Sequence, residues 1–591
     1  MLTPTPELAL RTLEMRLGDR RGPGAAPSEP VAAGPGGQVE TRLTWYGGAA
    51  VDPFRPGGEA AVQALSGLMH VHGQEAGAPR RLGLPAASVA AGILAGHGVL
   101  AARIARARGA AVHTVETSVL RAATLLAGHY VAEATAPDPW GPAVKGTGTP
   151  PPFRSADGPA FEVETFDPGA WRHFWQALGA DAAALGRSWT AFQYRYVKGY
   201  CFLPDELHAV AARTPWSRIT ATAAEFGLSL AALRGYREVL AEPGRSEDRA
   251  LLTPLTAADG GAARPPHPGG LPLAGLRVVE ATSRVQGPLT GLLLSRLGAE
   301  VTWIEPPQGD PSGMGALFHQ GKRRVGIDLG GPAGRAGLRE LASTADVFLH
   351  NWRPGKAEEW GFGPADLARV NPRLVHAAAS GWGSRADRDA VLGTEFMVQA
   401  YAGVTEGNTP AHRSPATTRV LLCDMFGALV TCEGVLQGLL RREREGRAWQ
   451  VEASLLGGAM ALQSELLLGL AAGDESGRRA GRPLWLPVDE PLPTADGHLV
   501  LGADDDAARR TVCDLLGVRA GARGQAAGQV RERLRDEPAE HWEKRLTDAG
   551  LPAAVVSDDL EALPADPRLA PLFTTLGDGT RVPASPWVFH S

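Results

Sequence analysis

The 591-residue chain is too long for one ordinary hydrophobic core, and its length implies two to four domains. A hydrophobic fraction of 44% and a formal charge of -5 fit a globular protein; no block of five or more Lys/Arg points to nucleic acid as a partner. Cys201, Cys423, Cys432 and Cys513 form no C-x-x-C pair and have no histidine at zinc-ligand spacing, so neither a metal site nor a disulfide framework is expected.

The chain opens MLTPTPELALRTLEMRLGDRR, with charge spread throughout and no signal-peptide core. No run approaches ~18 uncharged apolar residues, so no membrane span is expected, and the cytoplasm is the expected compartment. Pro/Gly-rich stretches at 18–38, 134–159 and 244–270 read as linkers. They divide the chain into an N-terminal segment (1–40), a first unit (41–243), the linker 244–270 and a second unit (271–591). Within the second unit, 271–470 is the expected large domain, 490–563 a small domain and 564–591 a C-terminal return.

An internal repeat relates the two units. Val62-Gln63-Ala64 recurs 336 positions later as Val398-Gln399-Ala400, and at the same offset Gly98-Val99-Leu100 recurs as Gly434-Val435-Leu436. Val115-Glu116-x-Ser118-x-Leu120 likewise recurs as Val451-Glu452-x-Ser454-x-Leu456. The period is that of a duplicated domain, far above that of a solenoid. Nothing in the first unit resembles residues 273–383.

That unmatched segment alternates strands and helices. Residues 276–280, 301–305, 346–350 and 374–380 predict strands, while 289–297 (closed by Gly298) and 333–343 predict helices. Such alternation implies a parallel α/β sheet with ligands at the carboxyl ends of its strands. The first βα turn, EATSRVQGPLTG, lacks G-x-G-x-x-G, which removes the main support for a nicotinamide site.

The run LPLAGLRVVEATSRVQGPLTGLLLSRLGAEVTWIEPPQGDPSG resembles the opening of family III CoA-transferases (CaiB/BaiF, formyl-CoA transferase-like). So do QGKRRVGIDLGGPAGRAGLRELASTADVFLHNWRPG and NPRLVHAAASGWG, and the resemblance continues through PLPTADGHLVLGA to RVPASPWVF. The first unit resembles a partial, degenerate copy. The resemblance implies an α/β fold with a Rossmann-like parallel sheet and smaller α+β domains, joined as a pseudo-dimer in one chain. It implies an acyl-CoA:carboxylate CoA-transferase with no metal and no cofactor beyond the coenzyme A thioester substrate. The implied partners are an acyl-CoA and an acceptor acid, with no nucleic acid and no membrane; the chain is a pseudo-dimer or a homodimer.

The run RVLLCDMFGALVTCEG places Asp424 at the family's nucleophile position, where the plain reading is an N-cap for a helix over 425–441. A carboxylate with the ordinary pKa of ~3.9 is ionised at neutral pH and able to attack a thioester carbonyl. Gln286 matches a glutamine beside the nucleophile; Val285, Asn351, Trp352 and Arg353 match CoA contacts. Lys322, Arg323 and Arg324 form a short basic cluster, either a phosphate contact or a solvated face. Trp303 reads as core rather than an adenine platform. At the repeat offset, Asp424 answers to Ser88, so the first copy lacks the carboxylate and is expected to stand in for a second subunit, shielding the site from water. An isomerase or racemase of the same fold is disfavoured, because its Gly-His-Asp motif reads Gly393-Thr394-Glu395 here. A degenerate CoA-binding protein is the non-enzymatic alternative.

Overall fold

The computed structural model describes residues 5–17, 39–138, 140, 148–242, 248–256, 270–307, 309, 315–383, 391–503, 505–518 and 523–590. The linker predicted at 18–38 and the breaker-rich stretch 257–269 lie outside these residues. In chain order, the first half builds β1 (Glu40–Thr44), α1 (Glu59–Leu65), α2 (Ala86–Ala107), β2 (Thr114–Ser118), α3 (Val119–Thr135) and, at its end, β3 (Leu251–Pro254). The second half begins with β4 (Arg277–Ala281), α4 (Gln286–Arg296), β5 (Glu300–Glu305), β6 (Arg323–Gly326), β7 (Val347–His350) and β8 (Val375–Ser380). It continues with α5 (Glu395–Tyr401), α6 (Leu422–Glu445), β9 (Trp449–Ser454), α7 (Leu455–Ala471) and β10 (Val588–His590).

Seven strands form one sheet in the order β3-β9-β8-β7-β4-β5-β6, parallel throughout except for the edge strand β3. Buried on both faces, β4, β5, β7 and β8 carry the near-continuous apolar runs that such strands require, and each begins within a residue of its predicted start. The order reverses between β4 and β7, and a crevice outside their carboxyl ends is where an open α/β sheet binds its ligand.

The 336-residue offset governs far more than three short motifs. Helix α1 maps onto α5, α2 begins where α6 does, and α3 maps onto α7 along its whole length. Gly98 and Gly434 let each long helix lie against the following strand: an added Cβ would meet Val115 Cγ1 at 2.4 Å and Val451 Cγ1 at 2.6 Å. Ser118 and Ser454 each accept a backbone N–H three residues on, capping α3 and α7. Strand β1 pairs in parallel with β2 as β8 pairs with β9. Residues 273–383 therefore do have a partial counterpart, hidden because ETRLT shares no residue with HAAAS.

The two halves exchange strands. β3, inside the stretch expected to be a linker, pairs antiparallel with β9; β10, at the same offset, pairs antiparallel with β2. The small domains are exchanged too. Strands Phe153–Arg154, Ala160–Glu164 and Ser229–Ala232 pack with four helices around Trp171, Trp175 and Phe192, and lie on α5 of the second half. The second small domain, around Leu499, Trp542 and Leu546, lies on α1 of the first. Arg234 donates its N–H to the Ala400 carbonyl and Ser557 to that of Ala64, the equivalent position.

Helices α2 and α6 cross at the centre of one hydrophobic cluster shared by both halves. Both are long and apolar enough to span a bilayer, contrary to the sequence expectation, yet they are buried inside the protein. Their apolar faces serve each other.

Candidate active site

Asp424 sits in the first turn of α6, 9% exposed, where the helix dipole favours an anion. It does not cap its own helix. The helix starts at Leu422, and its first N–H groups are taken by Glu395 at the start of α5: Cys423 N–H reaches Oε1 at 2.9 Å and Asp424 N–H reaches Oε2 at 2.6 Å. Gln399 Nε2 also donates to Glu395 Oε1 at 2.7 Å, while its own Oε1 accepts from Thr418 N–H at 2.9 Å.

The first half reproduces this arrangement. Glu59 accepts from Ala87 N–H at 3.0 Å and Ser88 N–H at 2.9 Å, and Gln63 donates to Glu59 at 3.0 Å and accepts from Leu82 N–H at 2.9 Å. Only the reactive position differs, for Ser88 Oγ donates to Glu59 Oε2 at 2.6 Å. The cap is a property of the fold; the carboxylate at 424 is added to it.

Two buried carboxyl groups therefore lie close enough to influence each other. Burial pushes Glu395 up to about 7, against the hydrogen bonds it accepts from Gln399, Cys423 and Asp424. Asp424 is held well above the ordinary carboxylate range, first by burial and then by Glu395, with the Arg284 guanidinium pulling the other way. The ordinary value near 4 assumed from sequence does not describe the folded group.

Arg284 belongs to the turn after β4. Its φ of 69° is left-handed, a strained conformation for a non-glycine residue. Asn351, after β7, holds the turn by accepting Ser283 N–H at 3.1 Å and donating Nδ2 to the Ser283 carbonyl at 2.7 Å. Val285 is buried just before α4, and Gln286 opens that helix. The Gln286 amide approaches α6 one to two turns beyond Asp424: Nε2 would lie 3.1 Å from a Cβ at Gly427 and lies 3.4 Å from Thr431 Oγ1. Val285, Gln286 and Asn351 thus gather at the sheet's switch point, with α6, the helix that carries Asp424, packed against the Gln286 amide.

Other candidates fare differently. Lys322 is no phosphate ligand here, because its fully buried ammonium pairs with Glu280 at 2.7 Å and donates to the Pro288 carbonyl at 2.8 Å. Arg323 begins the edge strand β6 and donates to Thr302 Oγ1 at 3.1 Å; it is exposed at the lateral edge of the sheet, level with the middle of β4 and not with its carboxyl end. Trp352 packs edge-on against Trp360 with ring centroids 5.2 Å apart, and Arg353 is exposed. Trp303 is core, stacked on His319 at 3.6 Å.

The first half covers the site. The Phe166 ring lies 3.9 Å from the Arg284 guanidinium, Thr394 Oγ1 donates to Glu164 Oε2 at 2.7 Å, and Tyr130 donates to the Arg419 carbonyl. Glu395, Arg284, Tyr130 and Glu164 were not singled out from sequence. One signal for Glu395 was there: the E-x-x-x-Q spacing of Glu59 and Gln63 repeats in Glu395 and Gln399.

A family model described as CoA-transferase family III matches residues 39–268 and 273–589. A probable fatty acyl-CoA transferase of Mycobacterium tuberculosis is 32% identical over 271 residues, covering 42% of this chain and 69% of that protein. An acetyl-CoA:oxalate CoA-transferase of Acetobacter aceti is 27% identical over 346 residues, covering 53% and 88%. Among solved structures, a CaiB/BaiF family protein from Brucella suis aligns with a TM-score of 0.48 and 22% identity, over 53% of this chain and 92% of that one.

Proposed function

The chain belongs to CoA-transferase family III and is an acyl-CoA:carboxylate CoA-transferase, and we propose that it works through covalent intermediates on Asp424. The observation that carries this reading is a desolvated carboxylate at a helix N-terminus, beside Gln286 and Arg284, in a position where the duplicate has only Ser88.

In the proposed sequence, Asp424 attacks the acyl-CoA carbonyl, forming an aspartyl-acyl anhydride and expelling the CoA thiolate. The thiolate attacks the aspartyl carbonyl, giving an aspartyl-CoA thioester and releasing the first acid. The acceptor carboxylate attacks that thioester, forming a second anhydride and again freeing the thiolate. Thiolate attack on the acceptor's carbonyl yields the new acyl-CoA and restores Asp424. No proton, metal or electron donor is needed for balance.

In this route Gln286 turns its amide N–H from Thr431 to the oxyanions of these steps. Arg284 favours the ionised nucleophile. Glu395 holds the first turn of α6 so that Asp424 cannot swing away. The cover formed by Phe166, Glu164 and Tyr130 limits hydrolysis of the anhydride. In this route Val285, Asn351, Trp352 and Arg353 line the path for CoA along the carboxyl ends of β4 and β7, while Arg323, at the start of the edge strand β6, stands apart from it. In the same reading residues 41–243 replace a second subunit, giving one active site per chain in the cytoplasm. Isomerisation lacks support, because Thr394 takes the place of a basic histidine and its hydroxyl is engaged by Glu164.

Incubation with an acyl-CoA and hydroxylamine tests the proposal. The Asp424 peptide is expected to become a hydroxamate, and the Asp424→Asn variant to show none. Turnover without modification would overturn the covalent route.

A further inference from the structure

Away from the switch point, a cavity of about 340 Å³ opens between segment 72–81 of the first half and segment 408–416 of the second, with Trp485 and Glu490 closing it. His72 and Asn408 stand 336 positions apart, so equivalent residues of the two halves meet in one cavity.

Its wall is built of donors. Asn408 is 1% exposed, and its Oδ1 accepts from Leu84 N–H at 3.0 Å, which orients the amide. The opposite atom, Nδ2, is buried without an acceptor among the described residues, as are Arg81 Nε and His72 Nδ1. Three arginines, Arg80, Arg81 and Arg413, face a single carboxylate, Glu490. That carboxylate is engaged by Arg413 and by His412 at 3.2 Å; nearby Glu75 is committed to Arg419 at 2.8 Å. Arg80 feels Arg413 as a like charge, and burial beside these cations pushes the His72 imidazole down to about 3, leaving it neutral. Buried donors with no acceptor are disfavoured in a folded protein, and half-buried cations that outnumber their carboxylates attract an anion. One small anion would relieve both.

We propose that this cavity binds a small dianion, with Arg80 and Arg81 supplying charge and Asn408 Nδ2 a directed hydrogen bond. A planar guanidinium matches a carboxylate or a phosphate two bonds at a time, and the cavity accommodates either a dicarboxylate or a phosphate. The site is separate from the transferase chemistry and depends on both halves of the chain.

Calorimetric titration of the full-length protein with succinate, inorganic phosphate and acetate, at fixed ionic strength, tests this. Saturable binding of a dianion but not of acetate is expected; whether succinate or phosphate binds more tightly identifies the source. Asn408→Asp keeps the acceptor for Leu84 and turns the orphan donor into a negative charge. It and Arg80→Met are each expected to weaken binding at least about tenfold. Asp424→Asn is expected to leave binding unchanged. Circular dichroism and melting curves show whether each variant is folded, and either one folded suffices. Lack of dianion binding, binding indifferent to both cavity variants, or binding abolished by Asp424→Asn would overturn the proposal.

Discussion

Asp424 and Glu395 titrate as a buried pair, so activity that needs the Asp424 carboxylate falls at acid pH along a limb set by the pair rather than by either residue. Arg284 stabilises the ionised form, and Arg284→Met is expected to move the acid limb of kcat/KM to higher pH. A limb that stays in place would separate Arg284 from the nucleophile. Glu395 has a second consequence. A carboxyl whose folded value lies above its unfolded one holds its proton longer in the folded state. Its contribution is full below the ordinary value of ~4.3 and is lost as pH rises through about 7. Glu395→Gln is expected to flatten that part of the stability–pH curve. It also turns an NH2 toward one of two backbone donors, with an expected cost of ~1–3 kcal/mol in chemical denaturation. Legibility at this scale was uneven. Asp424 stood out because its own neighbours carry the motif, whereas Glu395 acts 28 to 29 positions away on another helix. Lys322 misled because a basic run reads as surface until Glu280 is seen beneath it.

At the scale of elements, the constant offset is explained by what the matched residues do. Val62 and Val398 fill the shared core, Gln63 and Gln399 brace the capping glutamates, Gly98 and Gly434 admit the strand, and Ser118 and Ser454 cap the next helix. Gly98→Ala forces Val115 or the α2 backbone to shift, and is expected to destabilise the protein by ~1–3 kcal/mol in a denaturant titration. An unchanged midpoint would mean that the helix is free to slide. The parallel strands were legible because buried strands read as apolar runs. β3 and β10 were not, since their residues, LLTP and VFH, are mostly exposed or half-buried and lie in Pro-rich surroundings. Strand exchange depends on partners hundreds of residues away, which no local pattern records.

For the whole molecule, the exchange of strands and small domains makes each half incomplete without the other. The second half owns the six parallel strands and the carboxylate; the first supplies the antiparallel edge strand and the cover of Phe166, Glu164 and Tyr130. In the proposed reading, one working site and one relic site follow from that asymmetry. In the proposed route Asp424 becomes acylated and is regenerated with an oxygen taken from the acceptor acid. Turnover with an acceptor whose carboxylate carries heavy oxygen, followed by peptide mass analysis, measures this directly. Heavy oxygen is expected in the Asp424 peptide and none in the Ser88 peptide; product formation with an unlabelled Asp424 peptide would contradict the covalent route.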